Sequence, residues 1–526
     1  MVEKNKTFLS RDTLNHFNNS IEKPLYTIND LKPGIIHIGT GNFHRAHQGL
    51  YMNDLFNLGE DRDWAIIGSG VMPHDAMMRE ALQKQDYLST IVELEPNANQ
   101  ARISGSMIDF LPVDENNTSL VKALQDPRVR IVSMTITEGG YYIDPATGEF
   151  NPEHPQMVAD SKNLESSTSV FGALVQALKQ RRQAGIPPFT VMSCDNLPGN
   201  GKVSKDAVVG LAELNDSELA RWIEKEVAFP NGMVDRIATV TSDQQRQKLL
   251  EDFGIQDQWP VFCEPYRQWV LEDSFSMGRP SFEKVGVTFT ENITAFELMK
   301  LRILNGGHAA IAYPGALLDI HFVHDAMTHE LIQAYLAKLE LEEIIPIVPP
   351  VPGIELSKYF VQIQERFSNP QIGDTIPRLC QEGSDRQPKF ILPSIKDRLS
   401  KGLEIKGLAL ESAMWCRYCF GESEKGKAIN IDDLHSKRLQ NNAQEARKHP
   451  ETFLRMEDIF GDLGKNRVFK EEFASSLNSL WTNGVEKTLK NYLIMGAWIL
   501  IMIIMIPLLM LIMEAVLISP ILFRDY

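Results

Sequence analysis

A chain of 526 residues is about three times the length of a common single domain, so two or more folded units are expected. Its 43% apolar and 23% charged residues argue for a globular protein and against disordered, collagen-like or polytopic membrane classes. Acidic residues outnumber basic ones 69 to 53, a formal charge of -16 that speaks against a nucleic-acid partner, and five cysteines at this length make no disulfide framework.

The first thirty residues are polar, hold Pro24 and predict a surface lead-in. No secretory signal opens the chain, so a reducing, cytoplasmic compartment is expected. The run Gly34-Ile35-Ile36-His37-Ile38-Gly39 predicts a strand that enters a glycine turn, followed by a helix through Tyr51, Met52 and Leu55. Further short apolar runs at Trp64 to Gly68, Tyr87 to Val92, Val129 to Ile136 and Phe189 to Ser193 alternate with helical segments. That alternation predicts an α/β unit with a parallel, helix-covered sheet. From about Ile293 long helical periodicities take over: Phe296 to Ile311, Asp325 to Leu341, Leu403 to Phe420 and Phe469 to Leu493. The reading is therefore residues 1–290 as an α/β domain, 291–493 as a mainly α-helical domain, and 494–526 as an apolar tail. Leu493 to Met513 carries no charge and has the length of a bilayer-spanning helix, which makes a membrane tether the alternative to a free protein. Pro507 favours instead a packed or misassigned extension.

Two stretches carry chemistry on residue type alone. Gly39-Thr40-Gly41, between strand and helix, either brings backbone amides up to a pyrophosphate or is a plain tight turn, because His44 follows Phe43 where a third glycine would complete the fingerprint. Asp75, the first acid beyond the second strand, is either an acceptor for adenosine ribose hydroxyls or a solvated loop residue. Within Lys300-Leu301-Arg302-Ile303-Leu304-Asn305-Gly306-Gly307-His308 a base, a carboxamide and an imidazole share one helix. At about 100° per residue Lys300 and His308 lie two turns apart and about 80° around, so one helix can aim the three at a cleft without a tight row; taken singly, they read as a snorkelling lysine, a helix-end asparagine and a satisfied core histidine. A desolvated lysine loses its proton readily and can serve as a general base toward an alcohol. Cys416 and Cys419 read as core or surface cysteines, and His321, His324 and His329 as a hydrated helix face, so no metal is expected.

Taken in order, Gly39 to His47, Thr137-Glu138-Gly139-Gly140-Tyr141, Ser193-Cys194-Asp195-Asn196 with Asn200-Gly201, Met233-Val234-Asp235-Arg236 and Lys300 to His308 resemble the polyol-specific long-chain dehydrogenases over roughly Gly34 to Leu493. The resemblance implies a Rossmann-type N-terminal domain, a mainly helical C-terminal domain and a metal-free active site between them. It implies Lys300 as general base, Asn196 and Asn305 holding the developing alkoxide, His308 orienting the substrate, and Glu297 and Glu138 passing the proton to solvent. Ile38, Gly39, Thr40, Gly41, Asn42, Phe43 and Asp75 would meet the cofactor, and Asp235 and Arg378 the substrate. NAD is the expected cofactor, with NADP as the alternative. The expected reaction is reversible oxidation of D-mannitol to D-fructose, with fructuronate reduction as the alternative. The expected partners are a small polyol or ketose and no nucleic acid, the chain acting as a monomer.

Overall fold

The computed structural model describes residues 6–144 and 147–494. The tail expectation for 494–526 therefore falls, from residue 495 onward, outside the described residues. Among the described residues no helix is long and apolar enough to cross a membrane. The chain divides into two units, one through Glu297 and one from Leu298, a division that falls inside a helix.

Five parallel strands organise the first unit: β1 (Pro33–Ile38), β2 (Ala65–Ser69), β3 (Met107–Phe110), β4 (Ile131–Met134) and β5 (Thr190–Ser193), in spatial order β3-β2-β1-β4-β5. Alternate strand residues point to opposite faces. Ile36, Ile38, Val132, Met134 and Val191 fall into one core with helix α3 (Val170–Ala184), and Ile35, Ile131 and Met192 into another with helix α2 (Gln48–Asn57). Both faces are covered, as parallel strands require. The order of connection reverses between β1 and β4, and ligands of such sheets bind beyond the carboxyl ends of the strands at that reversal. Helix α1 (Asn42–Ala46) follows β1 directly. Helix α3 is set by an N-cap in which Ser169 Oγ accepts from Gly172 N at 2.9 Å, and it ends at Gly185, whose φ of 70° suits glycine. Helix α4 (Asn200–Asn215) follows the loop after β5.

Three expectations change in this unit. The run at Tyr87 to Val92 is not a strand of the parallel sheet. Ser89–Glu93 belongs to a separate mixed sheet, antiparallel to Gln100–Ser104 and parallel to Val261–Cys263. The fifth parallel strand is instead Met107–Phe110, which the expectation lacked. The N-terminal segment is packed rather than superficial: Thr7–Phe8 pairs with Ile255–Gln256, and Leu9, Phe17, Ile21 and Tyr26 are buried.

The second unit is helical. Helix α5 (Ile293–Met299) runs into a π-helical turn, Lys300–Asn305, and then into α6 (Gly306–Leu317). The expected helix over Asp325 to Leu341 is divided into Val323–Thr328, Glu330–Lys338 and a second π-helical stretch, Leu339–Ile344. At the centre lies α7 (Lys406–Cys419), buried from Gly407 to Cys419 and packed against α6 and α8 (Arg467–Ile494), which is broken by a kink at Gly484. The amides of Gly407 and Leu408 at its start are bound by the Glu343 carboxylate at 2.6 and 3.0 Å. Glu411, one turn further on, is fully buried and accepts from Gln387 Nε2 at 2.6 Å; burial pushes its carboxyl up to about 8. Cys416 and Cys419 are buried and free, in the core.

Candidate functional site

At the carboxyl end of β1 the chain turns on Gly39, whose φ is +89° and whose Cβ, if present, would stand 2.0 Å from the Thr135 carbonyl oxygen. Only glycine lets β1 and the β4 end approach so closely. A Cβ on Gly41 would meet only Gly39 O, at 3.8 Å, so the outer side of the turn is open to a ligand as a pyrophosphate cradle requires. Ile38 is buried below the turn, and Thr40 Oγ1 accepts from Ser69 N at 3.2 Å, tying the turn to β2. Asn42 Nδ2 donates to Thr239 O at 2.8 Å, and Phe43 stacks on His47 with ring centres 4.7 Å apart. Asp75 opens the helix Asp75–Lys84; its Oδ2 accepts from Val71 N and Met72 N at 2.8 and 2.9 Å, fastening the loop after β2.

The missing third glycine has a structural account. His44, in its place, lies flat on His37 of β1, ring centres 3.5 Å apart and 15° from parallel. His37 Nδ1 bonds Ser133 Oγ at 2.7 Å and its Nε2 bonds Thr135 Oγ1 at 3.0 Å. Burial pushes His37 and His47 down to about 3 and His44 well below its usual value, so the stack under the turn is uncharged at neutral pH. Helix α1 is accordingly held off the strand by an imidazole pair and ends after five residues, with α2 starting at a new angle beyond His47.

The loops after β4 and β5 are joined by one buried carboxylate. Asp195 Oδ2 accepts from Ile136 N at 2.9 Å and from Tyr141 OH at 2.6 Å, and Oδ1 from Thr137 N at 3.0 Å. Burial, then the Asp195 charge, raises the Tyr141 phenol well above its usual range, so it stays a donor. Glu138 opens the short helix Glu138–Tyr141 on this loop, and Asn196, exposed, follows Asp195 directly. Glu297 reaches the same region, its Oε1 accepting from Gly199 N at 2.8 Å. Asp235 is buried at the end of the strand Gly232–Asp235. Its neighbour Arg236 donates to Ala46 O at 2.7 Å and to Glu93 Oε1, which fixes the end of α1. Sequence reasoning quoted Asp195, Asn200 and Arg236 inside motifs but gave them no role. Beside near neighbours, their partners include residues 28 to 190 positions away, which no local pattern announces.

In the second unit Lys300 is 8% exposed, whereas Asn305 and His308 are half-buried. The structure corrects the single α-helix expected here. A π turn winds at about 80° per residue, so five such steps carry Lys300 to Asn305 through about 400°, and three α steps bring His308 to within about 20° of Lys300. The lysine and the imidazole thus share a face, with Asn305 about 40° to one side. His308 stacks on Phe367 with ring centres 4.2 Å apart; burial, then the Arg378 charge, pushes it down to about 3. Its Nε2 is buried without a hydrogen-bond partner among the described residues. Arg378, itself exposed, forms a two-pronged pair with the half-buried Asp374 carboxylate; burial alone would lower the guanidinium, but the carboxylate raises it and is itself held below its usual range. Among the described residues no three His, Cys, Asp or Glu side chains group in a way that could hold a metal ion.

A doubly wound sheet with an open glycine turn at its point of reversal, and a buried lysine sharing a helix face with an imidazole, define a Rossmann-type dehydrogenase with a helical second domain. The Mannitol dehydrogenase Rossmann domain model matches residues 33–284 and the Mannitol dehydrogenase C-terminal domain model residues 292–481. Mannitol 2-dehydrogenase of Cereibacter sphaeroides is 55% identical over 474 residues, 90% of this chain and 99% of that protein. Mannitol 2-dehydrogenase of Aspergillus terreus is 40% identical over 88% of this chain and 93% of its own length. Among solved structures, the Pseudomonas fluorescens mannitol 2-dehydrogenase ternary complex with NAD and D-mannitol is similar, with TM-score 0.83 and 42% identity over 93% of this chain and 99% of that one. A substrate-free D-sorbitol dehydrogenase matches with TM-score 0.84 and 33% identity over 91% of this chain and all of that one. The chain belongs to the mannitol dehydrogenase family.

Proposed function

We propose that the protein is a mannitol 2-dehydrogenase that interconverts D-mannitol and D-fructose with NAD, acting as a monomer in the cytoplasm. The observation that carries this reading is Lys300, withdrawn from water on the face it shares with Asn305 and His308. The relatives of high identity support mannitol over fructuronate. Bound NAD supplies the acceptor for the hydride. Residues Ile38 to Phe43 cradle the dinucleotide, and Asp75 shapes its adenosine end through the loop it fastens.

A hydride leaves a secondary alcohol carbon only as the hydroxyl proton departs, so the substrate oxygen needs a base and neutral donors. Lys300 Nζ takes that proton. The carboxamides of Asn196 and Asn305 donate to the oxygen as its charge grows, and His308, neutral over the working range, orients the same oxygen. Arg378, held in the Asp374 fork, donates to hydroxyls further along the polyol, and Asp235 accepts from them. Glu297 and Glu138 hand the proton on to solvent.

The test is a spectrophotometric comparison on the purified full chain. NADH oxidation is followed with D-fructose and D-fructuronate, NADPH oxidation with D-fructose, and NAD reduction with D-mannitol and D-sorbitol, which differ only at one carbinol centre. Fructose and mannitol should give the highest kcat/KM with NAD(H). A higher value for fructuronate or for sorbitol would overturn the substrate, and a preference for NADPH the cofactor.

A further inference from the structure

The side chains assigned to chemistry in the first unit stand on loops, and loops hold position only when something fixes them. Two residues of the β4 loop lie in the left-handed region that non-glycine residues avoid, Thr137 at φ +65° and Tyr142 at φ +54°. Between them sits the short helix that begins at Glu138. Three of the bonds that hold this strained turn end on Asp195, which takes Ile136 N, Thr137 N and Tyr141 OH on its two oxygens, while Tyr141 OH also bonds Ser193 Oγ at 2.6 Å and Tyr142 O accepts from Asn151 N at 2.8 Å. Asp195 is itself held at the backbone. Its N donates to Ser193 Oγ at 3.2 Å, and its O accepts from Leu197 N at 2.9 Å and from Asn200 Nδ2 at 3.2 Å. Asn200 in turn exchanges bonds of 2.8 and 2.9 Å with Gly232, on the strand that ends in Asp235. Residue 195 is therefore a junction. A rotation there would move the turn bearing Glu138 and the adjoining Asn196 together.

We propose that Asp195 is a positioning residue that sets the Asn196 carboxamide and the Glu138 turn for the reaction, touching neither substrate nor cofactor. The proposal rests on the role given above to Asn196. An asparagine at 195 keeps the shape but turns one acceptor into a donor that faces a backbone N–H or the Tyr141 hydroxyl, so the junction must shift.

The experiment is a double-mutant cycle of Asp195→Asn and Asn196→Ala, read as kcat and KM for mannitol, NADH dissociation constant and melting temperature. Asp195→Asn should lower kcat by about tenfold to a hundredfold, the effect of a misplacement near 1 Å, with NADH binding within about twofold. In the Asn196→Ala background the same change should lose most of its effect on kcat, keeping only the part that passes through the Glu138 turn. Full additivity of the two losses, or an unchanged kcat in Asp195→Asn, would overturn the positioning role while leaving Asn196 in place. An unchanged kcat in Asn196→Ala would instead overturn the reading of Asn196 on which the proposal stands. If Asp195→Asn does not fold, Tyr141→Phe, which removes one of the three anchors, takes its place in the same cycle. A smaller loss of kcat that again shrinks with Asn196→Ala supports the proposal, and a fully additive or absent loss refutes it.

Discussion

Glu411→Gln tests how the buried carboxyl of α7 couples stability to pH. Glu411 is fully enclosed and its carboxyl lies at about 8 against the ordinary 4.5, so the folded state binds a proton that the unfolded chain has released over most of the neutral range. With the folded value raised, the stabilisation is fully present below 4.5 and is lost as pH rises through 8. The rise from 4.5 to about 8 sets a ceiling of about 5 kcal/mol, most of which disappears between about pH 5 and pH 8. For a unit of this size that corresponds to a fall of roughly 10 °C in melting temperature. Glutamine keeps the acceptor for Gln387 Nε2 and has no proton to lose, so its profile should lack this component. His37, His47 and His308, lowered to about 3, act in the opposite direction as pH falls, and the difference between the wild-type and variant profiles cancels them. The assay is differential scanning fluorimetry of both proteins at half-unit pH steps. A flat difference curve between pH 5 and 8 would refute the reasoning.

Lys300→Ala should lower kcat at least about a hundredfold while NADH titration stays near wild type, because it removes the base and leaves the glycine turn intact. Asn305→Ala should cost roughly 2.7 to 4 kcal/mol in kcat through loss of a donor to the developing alkoxide, and a change confined to NADH affinity would count against that role. Gly39→Ala places a methyl 2.0 Å from Thr135 O at a φ of +89°, so NADH binding should fall sharply and the melting temperature with it; a variant that binds NADH like wild type would show that the turn tolerates displacement. Truncation after Ile494 should preserve specific activity, since the matched domain ends at residue 481 and the proposed site residues lie upstream of it. Comparing membrane and soluble fractions of the two forms then reads any tether in the tail, and loss of activity would show that the tail packs into the fold.

Much of the first unit was legible because its signals are local. Gly34 to Gly39 is an apolar run ending in a turn residue, and it forms β1 and its turn as read. Met107–Phe110 was not legible: four residues with an aspartate among them carry no strand pattern, and only the neighbouring β2 makes them one. Tyr87 to Val92 carries a strand pattern, but periodicity cannot tell which sheet receives it. The Lys300 to His308 segment showed its chemistry in residue types, yet its winding was hidden, because Lys-Leu-Arg-Ile-Leu-Asn is ordinary helix-forming sequence and the π turn depends on packing within the second unit. Asp195 was visible only as a letter in a motif, since its two loop amides and Tyr141 lie more than fifty positions upstream.

The π turn also bears on how this lysine and imidazole can be recognised in other chains. His308 stands eight positions after Lys300, yet the underwound stretch gives the pair the azimuth that seven positions would span in an unbroken α-helix, about 700° in each case. One residue is in effect inserted without disturbing the relation between the ends. A chain lacking one position between the two would therefore present the same pair from a straight helix, and an alignment that scored the gap as a lost active site would misjudge it. Insertions of this kind let a helix gain a residue at its most constrained point while the surrounding helices keep their places.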